Sequence, residues 1–85
     1  MSERRIRADA ERVLVEFHRT PGPRFGLDLI EATGLSSGRV YLALARLTGA
    51  GWVAKRWQEP HETPHDHPAR VLYELAPLQP GSRVR

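Results

Sequence analysis

The sequence predicts an α+β fold in which three short helices precede a two-stranded β-hairpin. Three observations carry that reading. Apolar residues recur at helical spacing through the first half, as Ile6, Ala10, Val13, Leu14 and Phe17 and again as Val40, Ala43, Leu44 and Leu47. Breakers divide that half into three: "TPGP" at 20 to 23, Gly34, and "GAG" at 49 to 51. Two runs rich in β-formers then follow, "WVAKRWQ" (52–58) and "RVLYEL" (70–75).

Taken in order, Ser2 is placed to cap a first helix that ends at Arg19, where the prolines remove donors and fix φ. Its solvent side pairs Glu3 with Arg7 and Arg12 with Glu16 at i,i+4 spacing. Residues 25–33, "FGLDLIEAT", form a short second helix anchored by Leu27, Leu29 and Ile30 and closed by Gly34. A tight turn leads to the third helix, 36–51, capped by Ser36. Two helices so closely joined read as helix-turn-helix, and the hairpin 52–75 adds a wing with a long tip, "EPHETPHDHPA", too polar and too broken for helix or strand. One winged-helix domain, 1–76, and a Pro/Gly-rich flexible tail, 77–85, account for the chain.

The third helix has two unlike sides. At about 100° per residue, Val40, Ala43, Leu44, Leu47 and Ala50 share a core face, and Gly38, Leu42, Ala45 and Gly49 lie opposite them. Arg39 and Arg46 border the outer face on one edge and Tyr41 on the other. Solvated faces ordinarily carry Glu, Lys and Gln, because glycine costs about 1 kcal/mol against alanine in a helix. Small residues instead let a helix enter a groove closely, where Leu42 suits a thymine methyl and the arginines suit guanine or phosphate. A helix packed on both sides is the plain alternative.

Charge points the same way. The 85 residues carry a formal net charge of +3, and 12 of the 13 basic residues are arginine, which codon bias explains as readily as function does. More informative is the stretch from Ala32 to Gln58, which holds Arg39, Arg46, Lys55 and Arg56 and no acid. Without cysteine there is no disulfide framework and no thiolate site. No apolar run approaches the roughly 20 residues of a membrane span, and the charged N-terminus is unlike a signal peptide. These features read as a soluble, cytoplasmic, nucleoid-associated protein.

The segment "FGLDLIEATGLSSGRVYLALARLTGAGWV" resembles the PadR family of winged-helix transcriptional regulators, with Leu35, Ser36, Gly38, Val40, Tyr41, Leu44, Leu47 and Gly51 at matching positions. "WQE" at 57–59 and "RVLYEL" resemble the wing strands. The resemblance implies a dimer that binds operator DNA, usually as a repressor, with the third helix in the major groove and the wing over a minor groove. By position it implies Ser36, Ser37, Gly38, Arg39, Tyr41 and Leu42 as DNA-facing, Tyr41 on the phosphate backbone. Arg46 joins them from the helix face, and Arg56 and Arg70 supply charge to the wing.

Departures are specific. Ser37 and Leu42 stand where many members carry proline, Arg39 where a small residue is common, and histidines replace a basic run in the wing. The chain ends where the family's C-terminal dimerisation helix would begin, so this reads as a short form. A homodimer is still expected, built on the first helix or on Trp52 and Trp57, because one half-site gives little specificity.

His61, His65 and His67, with Glu62 and Asp66, are ligand types for a transition metal, but the prolines bar a helical pair and exposed histidines are common. No metal or other cofactor is therefore expected. Protonation of those histidines near phosphate is the milder role. Nothing in the chain resembles a nucleophile or a phosphate-cradling loop, so no enzymatic activity is expected. Two alternatives to a regulator use the same face: a protein-docking winged helix, and an architectural accessory factor of phage or mobile-element type. The operator and any small-molecule effector are not legible.

Overall fold

In the computed structural model, which describes residues 2–77, three helices precede an antiparallel hairpin. They are α1 (Glu3–Arg19), α2 (Gly26–Thr33), α3 (Ser37–Gly49), β1 (Val53–Trp57) and β2 (Val71–Leu75). The tail expected at 77–85 lies outside the described residues from 78 onward. Among the described residues no helix is long and apolar enough to cross a membrane.

Each helix starts where a side chain takes up a free backbone donor. Ser2 Oγ accepts from the Arg5 amide at 3.2 Å, and Ser36 Oγ from the Arg39 amide at 3.3 Å. At α2 the polarity is reversed, with the Phe25 amide donating to Asp28 Oδ2 at 2.8 Å. The turn between α2 and α3 depends on Gly34, whose φ of 74° only glycine adopts without strain. Thr33 reinforces it from within, its buried hydroxyl donating to the Leu29 carbonyl at 2.7 Å and accepting from the Leu35 amide at 3.2 Å.

The core lies where the three helices meet the base of the hairpin. Val13 and Phe17 from α1, Leu29 from α2, and Val40 and Leu44 from α3 are fully buried, with Val53 of β1 closing one end. Leu14, Ile30, Trp52, Tyr73 and Leu75 pack around them. In the sheet Val53 pairs with Leu75, Lys55 with Tyr73 and Trp57 with Val71.

Two features were not expected from the sequence. Arg24 exchanges both backbone hydrogen bonds with Tyr73, each 2.8 Å, so a one-residue bridge before α2 makes β2 the central strand. The hairpin tip, read as irregular throughout, contains a 3-10 turn at Pro60–Glu62. Proline fits the first position of that turn because its missing donor is not needed there.

Phe17 is the largest side chain at the centre, 1 % exposed. Phe17→Ala is expected to lower unfolding free energy by about 3–5 kcal/mol, measured by urea denaturation. A domain this small holds few kcal/mol in reserve, so partial unfolding at ambient temperature is the expected appearance.

Candidate nucleic-acid interface

The phase of α3 follows from its apolar residues. Val40, Ala43, Leu44 and Leu47 are buried, which turns Gly38, Leu42, Ala45 and Gly49 outward, all exposed. Ser36 and Ser37 are exposed at the start of the helix. Leu42 is 42 % and Tyr41 47 % exposed. The outer face is thus small and apolar along its whole length, with one leucine at its centre.

Tyr41 is held against α2 by the absence of a side chain. A β-carbon on Gly26 would stand 2.7 Å from the Tyr41 ring carbon Cε1, closer than real contacts allow. Burial, and then the neighbouring Tyr41, push the Tyr73 phenol above its usual range. The Tyr41 ring is therefore fixed in place while almost half its surface stays open.

The arginines expected to read DNA are engaged inside the molecule. Arg39 grips the buried Asp9 of α1 with both fork nitrogens, Nε to Oδ2 at 2.9 Å and Nη2 to Oδ1 at 2.7 Å. The hydrogen bonds from Arg39 hold the Asp9 carboxyl below its usual range, and the same bonds raise Arg39. Arg46 pairs with Glu3 of α1. Six residues separate Glu3 from Asp9, about 120° around the helix, so the two pairs brace α1 against α3 from different sides.

The wing arginines are held in the same manner. Arg56 donates Nη1 to Glu62 Oε1 at 2.7 Å, Nη2 to Glu62 Oε2 at 3.0 Å and Nε to Glu74 Oε1 at 3.1 Å. Those bonds raise Arg56 and draw the Glu62 carboxyl down to about 2. Arg70 lies over the Phe25 ring, 3.9 Å from its centroid. Arg39, Arg46 and Arg56, expected to contact DNA, each have a carboxylate partner within the chain, and the sequence hid those partners for one reason. The window from Ala32 to Gln58 lacks acids along the chain only, because folding brings Asp9, Glu3, Glu62 and Glu74 to it from outside. The i,i+4 pairs expected within α1 are also replaced: Glu3 bonds Arg46 of α3, and Glu16 bonds Arg19 of its own helix at 3.1 Å.

Other residues emerge in their place. On the hairpin, Lys55 and Trp57 share the face that begins with buried Val53; Trp57 is 66 % exposed, and among the described residues Lys55 forms no ion pair. Gln58 was overlooked, although it closes the wing. Its Oε1 accepts from the Arg70 amide at 3.0 Å and its Nε2 donates to the Glu62 carbonyl at 2.9 Å. The signal for Asp9 was in the sequence, since an acid between Ile6, Ala10 and Val13 at the edge of an apolar stripe needs a partner when buried. His61, His65 and His67 do not converge, and among the described residues no three His, Cys, Asp or Glu side chains are placed to hold a metal.

No family model matches the chain, and no curated protein matches it in sequence. What the fold defines is a class: an α+β chain with winged-helix layout, its third helix presenting a small-residue face beside a braced hairpin.

The Arg56–Glu62 pair gives the wing a pH dependence. Because the folded Glu62 carboxyl titrates near 2 rather than its ordinary 4.5, its contribution is complete above pH 4.5 and is lost as pH falls toward 2. Thermal midpoints measured from pH 6 to pH 2 are expected to fall less steeply in Glu62→Gln than in the parent chain.

Proposed function

We propose that this chain is a sequence-specific DNA-binding protein, a transcriptional regulator acting as a repressor, with α3 in the major groove and the hairpin as its wing. The observation that carries the reading is the outer face of α3, where Gly38, Leu42, Ala45 and Gly49 are exposed without a carboxylate among them. A face of that kind admits close approach to base edges and leaves Leu42 to meet a thymine methyl. Ser36, Ser37 and Tyr41 then lie where phosphate oxygens flank the groove. The resemblance to PadR regulators supports the same arrangement, and with it a homodimer on a two-fold operator.

The roles within the site are revised. Arg39 and Arg46 act first as braces that set the angle of α3, and Arg56 stiffens the wing. Lys55 and Trp57 become the wing residues open to a backbone. Engagement of so many arginines is also the observation that favours the second reading, a protein-docking face built on Tyr41, Leu42 and Trp57.

Binding to a randomised duplex library separates the two. A DNA regulator enriches one repeated or palindromic sequence and loses affinity as salt rises, whereas a docking module enriches none. Against the selected duplex, Leu42→Glu is expected to weaken binding more than tenfold, about 1.4 kcal/mol or more, with an unchanged circular dichroism spectrum. Lys55→Ala is expected to reduce the slope of log K against log salt by about 1.

A further inference from the structure

Pairing between helices moves positive charge from α3 to α1. Arg39 and Arg46 take the carboxylates of Asp9 and Glu3, and Glu16 turns to Arg19, so the arginines that share α1 with those acids are left over. Arg5 and Arg12 stand four residues before and three after Asp9, on one side of α1. Both are exposed, and among the described residues neither forms an ion pair. Around Asp9 three arginines therefore meet one carboxylate, whose two oxygens are both occupied by Arg39. The excess lies beside the first turn of α3, because Arg39 is the third residue of that helix.

We propose that Arg5 and Arg12 form a clamp on the phosphate backbone of the duplex that α3 enters, extending the interface along the exposed side of α1. The clamp rests on the DNA reading of α3. Its span selects the ligand: seven residues of helix separate the two side chains by about 10 Å, too far for one small anion to bridge and suited to successive phosphates of a polymer. The flanking groups do not oppose it. Ser2 is occupied as the α1 cap, and Glu16 is drawn toward Arg19. Both arginines lower the Asp9 carboxyl through space, which agrees with their nearness to the pair.

The test is duplex binding by fluorescence anisotropy across a salt series, using the full chain and two variants of equal charge. Arg5→Ala with Arg12→Ala removes the clamp; Arg4→Ala with Arg7→Ala removes the same charge from other sides of α1. The first is expected to lower the magnitude of the salt slope by about 2 and the second by less than 1. Equal losses in both variants would mean that only overall charge matters and would overturn the clamp, as would an unchanged slope in the first. If the folded parent chain binds no duplex even at low salt, the DNA reading of α3 fails and takes the clamp with it. Thermal melts of both variants confirm folding, since Asp9 keeps Arg39 in each.

Discussion

The bidentate pair between Asp9 and Arg39 is the interaction on which the arrangement of the helices depends. Hydrophobic contacts among Val13, Phe17, Val40 and Leu44 bring α1 and α3 together, but apolar contact is non-directional and tolerates some sliding. A planar guanidinium against a carboxylate permits far less, since both bonds are short only in one relative placement. Because Asp9 is buried, losing Arg39 would strand a carboxylate away from water, so the helices are held as much by what separation would expose as by attraction. The Glu3–Arg46 pair is exposed and screened, and acts as a guide rather than an anchor.

This bracing explains the composition of α3. Its inner side is committed to the core, one edge to α1 and the other, through Tyr41, to α2. Only one strip of the helix is unassigned, and it carries glycine, alanine and leucine instead of the solvating residues that helix propensity would favour. A strip kept small while everything around it is fixed suits a surface that must fit a partner closely.

Much of the fold was legible because its causes are local. Helix starts at Ser2 and Ser36, the glycine stop at Gly34 and the two β-rich runs all depend on near neighbours, and their boundaries agree with the structure to within two residues. The outward face of α3 was legible for the same reason, being set by periodicity alone. Partners of the arginines were not, because each lies in a different element: Arg39 and Asp9 are 30 positions apart, Arg56 and Glu74 18. Counting acids within a window assumes that charge neighbours in sequence remain neighbours in space. The bridge at Arg24 escaped notice because a single residue has no period to detect.

That bridge has a mechanical consequence for the wing. Tyr73 has a neighbour on each side: it faces Lys55 of β1 as a non-hydrogen-bonded pair and spends both its backbone hydrogen bonds on Arg24 ahead of α2, which makes it a fulcrum. Two residues beyond it the hairpin continues as a short lever ending near Trp57 and Val71, stiffened internally by Arg56 and Gln58. From that lever the main-chain link runs through Arg24 to Phe25, the residue that caps the start of α2. The wing and the second helix are therefore joined through the main chain as well as through side chains.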